Sequence, residues 1–305
     1  MNLAEPDPSQ AGGPISRVIA SPRSREREAQ TRPDVLPASL SRQENGLWVP
    51  ETHSKISYPE GGLSRFVDVE QRSFWFRHRN RCIAAAVSHY PPQGAIVDVG
   101  AGTGYVASGL RDAGFEIIAV EPHIDGALTA HRRGLEHVVC GSFDDIGFAP
   151  SSIAALGLFD VLEHIEDDIG TLARFRDVLK HDGRLYITVP SYNFLFSSED
   201  LAVSHFRRYT VSSCSRALEK AGFVTEYHTY LFMFLFVPIL MLRAIPYRLG
   251  RRQSATVESV AAAHNLAGIA ASAVDRILDW EARRIARGGR LAFGGSCLLV
   301  ARKAR

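Results

Sequence analysis

The sequence predicts an α/β fold, a mostly parallel sheet with helices on both faces, and three observations carry that expectation. Ile96–Tyr105 reads I-V-D-V-G-A-G-T-G-Y, a β-branched apolar run followed by glycines at alternate positions, Gly100, Gly102 and Gly104. E-I-I-A-V-E-P is a second apolar run ending in an acid, Glu121, about 20 residues beyond the glycines. From there to about Tyr230, strand-like runs alternate with stretches of helical period, the pattern of a parallel sheet built from strand–helix–strand units.

In chain order, residues 1–45 are rich in Pro, Ser, Arg, Glu and Gln and poor in large apolar side chains. Such a segment buries too little to offset its ordering entropy and is expected to be a disordered tail. It has no apolar core of a secretory signal. The mixed-sign run Arg23–Glu28 suits a solvated tail, and a misplaced start codon would give the same composition. Gly46–Gly62 reads as a loop carrying Trp48 and Tyr58. From Leu63 the pattern turns helical through Phe74–Val87, with Phe76, Ile83 and Val87 on one face. After the Ile96–Val99 strand and its glycine turn, Val106–Ala113 is a helix stopped by Gly114. The strand ending at Glu121, a helix over Ile124–Arg133 and a short strand over His137–Phe143 follow.

Ile153–Leu162 is a fourth strand, and the helix Thr171–Leu179 is expected to stop at the H-D-G of His181–Gly183. Gly183–Pro190 makes a fifth strand, Val211–Ala221 a helix stopped by Gly222, and F-V-T-E-Y-H-T-Y a sixth strand. G-S-C-L-L-V-A-R-K near the end is the last. The expected division is a tail (1–45), a core (46–230), a helical insertion (231–291), and a final core strand with its tail (292–305). With 305 residues, 46% apolar content and a net charge of +2, the chain can bury a full core and is too balanced to suggest a nucleic-acid partner. The cysteines, Cys82, Cys140, Cys214 and Cys297, are scattered without a C-x-x-C pair and read as buried thiols of a cytosolic protein.

A glycine-rich turn between strand and helix lets backbone approach a ligand closely, and Glu121 has the spacing of a carboxylate that accepts hydrogen bonds from a ribose diol. Together they point to a nucleoside cofactor, against the alternative of a tight turn in an unrelated α/β domain. The dinucleotide fingerprint wants a glycine three positions after Gly102, where Tyr105 stands; the pattern here is G-x-G-x-G preceded by Asp98. At these residues the chain resembles the class I S-adenosylmethionine-dependent methyltransferases, whose first motif reads D/E-x-G-x-G-x-G.

That resemblance implies a Rossmann-like, seven-stranded sheet with an antiparallel last strand. It implies S-adenosylmethionine held by Asp98, Gly100, Gly102, Gly104 and Glu121. Arg79 falls at the arginine of the family's aromatic-then-arginine segment, where a cation neutralises the ligand's carboxylate; the other reading is that Arg79 lies over the aromatic cluster. At the end of the third strand, Ser142 stands where the family often has an acid touching adenine, with Asp144 and Asp145 just beyond and Phe143 placed to flank the ring. Phe159 is an implied cofactor contact.

Asp160, Glu163 and His164 form D-x-x-E-H directly after a strand, and i, i+3 and i+4 share one face of a helical turn. His205 lies on the loop after the fifth strand, at the same end of the sheet. The first segment resembles the E/D-x-x-E-H element of the ubiquinone-biosynthesis type of O-methyltransferase. S-H-F-R-R-Y-T resembles a loop motif of bacterial methyltransferases of envelope and quinone genes. The expected activity is therefore O-methylation of a small molecule. His164 or His205, beside Glu163, would take the proton of the hydroxyl. Alternatively, Asp160, Glu163, His164 and His205 hold a divalent metal ion that acidifies a phenol or catechol. A third reading has Glu163 and His164 only capping a helix and holding the loop. An N or C acceptor, and a catalytically silent S-adenosylmethionine-binding protein, stay open beside these.

Tyr230–Leu242 is unbroken apolar sequence, shorter than the ~20 residues of a membrane-spanning helix and interrupted by Pro238. Arg243, Arg248, Arg251 and Arg252 follow. Thr256–Ala286 reads as an amphipathic helix ending among Arg283, Arg284, Arg287 and Arg290. Three readings compete: a hairpin lid over the sheet, an interfacial helix on anionic lipid at the inner face of the membrane, and a true span. The first two imply an apolar pocket and a lipophilic or lipid-linked acceptor.

Overall fold

The computed structural model describes residues 32–51, 67, 70, 73–250 and 269–304. The sheet is built from β1 (Ser41–Arg42), β2 (Trp48–Val49), β3 (Ile96–Val99), β4 (Ile117–Glu121), β5 (His137–Cys140), β6 (Ile153–Phe159), β7 (Leu179–Pro190), β8 (Phe223–Leu231) and β9 (Ser296–Lys303). Their order is β1-β2-β5-β4-β3-β6-β7-β9-β8. The strands from β5 across to β7 are parallel. β9 inserts antiparallel between β7 and β8, as the family resemblance implies for the last strand.

Strands β3 and β4 are buried throughout because helices cover both faces, which is why their sequences run apolar without alternation. Val97, Val99, Ile118 and Val120 face one core. Ile96, Ile117 and Ala119 face the other. The longer helices are α1 (Phe74–His89), α2 (Tyr105–Asp112), α3 (Ile124–Arg132), α4 (Asp168–Val178), α5 (Val211–Lys220) and α6 (Ile269–Ala286). Ser73 starts α1 by accepting the Trp75 N–H at 3.2 Å.

Because β3 pairs with both β4 and β6, the connections leave it in opposite directions, and a crevice opens at its carboxyl end. The glycine turn lies there.

Several boundaries differ from the sequence reading, each for a local reason. The stretches read as tail and loop contribute β1 and β2, which pair with each other and dock Trp48 beside Val139 of β5. The helix before the fifth strand stops at Val178, not at H-D-G, because Ser151 and Ser152 N–H groups take the Asp177 and Val178 carbonyls. Leu179 then pairs at once with Ile153. The buried face of α1 is set by Phe74, His78, Arg79, Cys82, Ile83, Ala86 and Val87, leaving Phe76 half-buried against Tyr105. All four cysteines are buried and unbridged.

The apolar insertion is helical from Met233 to Arg248, with a wide π-type turn over Leu240–Ala244. Pro246 follows that turn and has no N–H to offer the carbonyl four residues back. Of the amphipathic helix read over Thr256–Ala286, only Ile269–Ala286 lies within the described residues. Among the described residues no helix is long and apolar enough to cross a membrane.

Candidate active site

The turn after β3 is held by its own backbone. Gly100 and Ala101 N–H groups donate to the Val120 carbonyl at 2.9 and 3.0 Å, so the chain folds back across the end of β4. At Gly102 φ is +57° and a Cβ would meet nothing within 4 Å, so the backbone there faces an open hollow. At Gly104 φ is +75° and a Cβ would strike Ala130 at 2.7 Å, so this glycine serves close packing of α2 on α3.

Two carboxylates border the hollow. Glu121, buried at the end of β4, accepts the Gly102 N–H at 2.7 Å and the His123 N–H at 2.9 Å. Burial nevertheless pushes its carboxyl up to about 7. Asp98 is buried, and its Oδ2 finds no hydrogen-bond partner among the described residues. Burial, with Arg79 pulling the other way and Glu121 adding to it, pushes Asp98 up to about 8. A buried carboxyl with an open acceptor atom favours a ligand that brings a donor or a positive charge to it. The hollow and the orphaned acceptor therefore fit an adenosyl sulfonium carrying an amino group.

Arg79 lies over the aromatic cluster, as one of the two sequence readings has it. Its guanidinium pairs with Asp160 and lies 5.3 Å over the Phe76 ring. Burial lowers its pKa, opposed by the charges of Glu70, Glu163 and Asp98. Glu70 has no local signal in the sequence: it accepts from Thr103 Oγ1 at 2.6 Å and pairs with Arg133 at 2.6 Å, tying the glycine turn to α3 from 33 positions away.

Ser142, where an acid was one expectation, instead caps a short helix, Phe143–Ile146, through the Asp145 N–H at 3.3 Å. Phe143 is half-buried between Phe148 and Phe175, with ring centroids 5.2 and 4.7 Å away. Phe159 is buried and folds under Gly157, within the core cluster.

The D-x-x-E-H trio does not converge as a helical turn would have it. Asp160 has φ +59°, and the turn after it, Leu162–His164, is a 3₁₀ turn. The Asp160 carboxylate points to Arg79 and accepts from Thr188 Oγ1 at 2.9 Å. Glu163, His164 and His205 come together instead. The two imidazoles are 4.7 Å apart edge to face, and His205 Nε2 is 3.8 Å from Glu163 Oε1.

Glu163 is fully buried, neither oxygen has a hydrogen-bond partner among the described residues, and burial pushes it up to about 8. Burial and the neighbouring His205 push His164 down to about 4.

His205 is oriented by a residue that the sequence reading missed. Its Nδ1 lies 2.8 Å from Asp200 Oδ1. Burial works to raise Asp200, but hydrogen bonds from His205 and Arg208 win and hold it at about 2, so it is an ionised acceptor. Nδ1 therefore carries a proton toward Asp200, and in the neutral tautomer this leaves, Nε2 is the acceptor nitrogen. The spacing Ser197-x-x-Asp200 was the available signal, since Asp200 closes a capping box on Ser197.

Beside this cluster the insertion packs on the loop after β7. Tyr192 stacks on Tyr230 at 5.3 Å and meets Phe236 edge-on at 5.6 Å. Arg243 of the insertion pairs with Glu199 at 2.7 Å, next to Asp200.

Residues 70–228 match the family model of the methyltransferase domain. No curated protein matches the chain. Among solved structures, the fold is similar to one in the complex of the Haloferax volcanii Trm112 methyltransferase activator with a methyltransferase. There the TM-score is 0.52 at 17% identity, over 80% of this chain and 94% of that one. An S-adenosylmethionine-dependent methyltransferase of Thermotoga maritima gives 0.50 at 18%, over 79% and 97%. Haemonchus contortus phosphoethanolamine N-methyltransferase 2 gives 0.50 at 16%, over 85% of this chain and 62% of that one. With its family model covering more than half its length, the chain belongs to the methyltransferase domain family and is an S-adenosylmethionine-dependent methyltransferase of the class I fold.

Proposed function

We propose that the protein methylates a hydroxyl of a lipophilic or lipid-linked small molecule, with His205 as general base. S-adenosylmethionine, when bound, supplies a methyl group activated on a sulfonium. The chain's own task is to hold two reactants in contact, worth up to ~7–11 kcal/mol, and to take the hydroxyl proton. The observation that carries the reading is the Asp200–His205 pair, 2.8 Å apart. Asp200 fixes the tautomer, Nε2 accepts the proton, and the ionised carboxylate stabilises the imidazolium that results. His164, neutral and shielded, supports the wall of the site. The aromatic lining from Tyr192, Tyr230 and Phe236 favours an apolar acceptor, as does the resemblance of D-x-x-E-H to ubiquinone-type O-methyltransferases. In this reading the insertion is the acceptor's lid, the protein is cytoplasmic, and it works at the inner face of a membrane.

The test is incubation of the protein with labelled S-adenosylmethionine and a cell lipid extract. Label is expected in an extractable lipid, with base-stable O-methyl linkage. His205→Ala should lower turnover by about 10²–10⁴-fold while cofactor affinity holds. Full turnover in the variant removes His205 as base. No label in any fraction, with cofactor bound, favours a catalytically silent binder, and label on nitrogen or carbon redirects the acceptor.

A second reading rests on Glu163, His164 and His205, whose ligand atoms lie within 4.8 Å of one another. Asp200 behind His205 is the outer carboxylate that metal-bound histidines commonly use. A divalent ion here would draw the proton off Glu163 and acidify the acceptor hydroxyl. Loss of activity on chelation, restored by a divalent salt, supports the metal; unchanged activity in chelator leaves the base alone.

A further inference from the structure

The helical run from Met233 to Arg248 has an inward face, Ile239 and Ala244, packed with Leu195. Its outward face is apolar as well. Phe234, Val237, Met241 and Leu242 are exposed, Leu242 by 75%, and Leu249 follows at 73%. Positions 234, 237 and 241 recur at helical spacing, with exposed Pro238 and Leu242 beside them. The charged side chain within this run, Arg243, is tied to Glu199, and the next is Arg248. A surface helix that is apolar on both faces leaves its outer one to a partner.

The chemistry beside the stripe identifies that partner. Phe234 meets the exposed Trp280 of α6 edge-on at 6.1 Å, and Arg284 lies 5.9 Å over the Trp280 ring. Trp280, Arg283, Arg284 and Arg287 follow at i, i+3, i+4 and i+7, so the arginines continue the face that Trp280 begins. All are exposed, as is Arg290. The acid within this run, Glu281, is buried and accepts the Phe232 and Met233 N–H groups at 2.6 and 3.2 Å. An apolar stripe, an aromatic pair at its edge and a rim of arginines match the headgroup–acyl boundary of an anionic bilayer; Asp279 beside Trp280 is paired with Arg81, and from Trp280 to Arg290 no acid is exposed.

We propose that this face docks on an anionic lipid surface, with Val237, Met241 and Leu242 entering the acyl boundary and Arg283, Arg284 and Arg287 meeting lipid phosphates. The proposal deepens the lipophilic-acceptor reading by naming the surface from which such a substrate would be reached. It can fail independently of it, because cofactor binding and turnover on extracted lipid are read separately.

Flotation of the full chain with vesicles tests it. Vesicles of phosphatidylcholine with phosphatidylglycerol should carry the protein, and pure phosphatidylcholine should carry far less. Added salt should narrow the difference. Val237→Glu with Leu242→Glu should abolish flotation on both, while the melting temperature and calorimetric S-adenosylmethionine affinity stay at the wild-type level. Arg283→Gln and Arg287→Gln should each weaken binding roughly fivefold on the anionic vesicles only. Equal flotation on both vesicle types, or none on either, overturns the proposal. So does a wild-type dimer in sedimentation that the glutamate pair dissociates without any vesicle binding, which would assign the stripe to a second copy.

Discussion

Asp200 and His205 show what single side chains contribute. Asp200 touches no reacting atom in the proposed mechanism and acts through His205, so Asp200→Asn should lower kcat by about tenfold or more with acceptor KM and cofactor affinity held. Asp200→Glu should restore part of the loss. A residue that merely caps the Ser197 turn would move stability and leave that split unchanged. In the same mechanism Glu121 is proposed to contact the nucleoside directly. Glu121→Ala should weaken S-adenosylmethionine binding by about 10–100-fold in calorimetry, the worth of hydrogen bonds to a charged acceptor. The placing of Asp98, Glu121 and the three glycines at one end of neighbouring strands was legible because strand, turn and acid lie close in sequence and the turn's left-handed backbone demands glycine. Asp200 was overlooked although it is only five positions from His205, since its pairing depends on the fold of the Ser197–Arg208 loop. Glu70 could not be read at all, because nothing near it announces Thr103 and Arg133.

Among elements, those with a strong period were placed within a few residues, whereas two-residue strands such as β1 and β2 carry no period to read. The helical turn inferred for D-x-x-E-H failed because Asp160 adopts a left-handed backbone and hands its carboxylate to Arg79. The joining of α1, α6 and the start of the insertion was equally hidden, since His78 and Glu281 are 203 positions apart. That contact is fully buried, with His78 Nε2 2.9 Å from Glu281 Oε1 and Cys82 Sγ 3.4 Å from the same nitrogen. Glu281→Ala would leave the His78 nitrogen and the Phe232 and Met233 N–H groups without their acceptor, at about 1–3 kcal/mol for each buried group. Thermal melting should fall by several degrees. Unchanged melting would show that the α1–α6 tie is incidental.

For the whole molecule, buried acids couple cofactor binding to pH. Asp98, Glu121 and Glu163 are raised to about 8, 7 and 8, so the folded state holds protons that the unfolded state releases. Stability contributed by these groups is present below their unfolded values and is lost as pH rises from about 4 through 8. The cofactor-free melting temperature should therefore decline across that window, and Asp98→Asn should flatten the decline. A cationic ligand favours the ionised acids, so the rise in melting temperature on adding S-adenosylmethionine should be larger at the alkaline end. A flat profile in the wild type would remove this coupling.

Isothermal titration of the purified chain with S-adenosylmethionine, S-adenosylhomocysteine and a nicotinamide dinucleotide is the most direct measurement. Saturable binding of both adenosyl ligands, weakened by Glu121→Ala, with no heat from the dinucleotide, is the predicted result; uptake of the dinucleotide with indifference to the other two would contradict it.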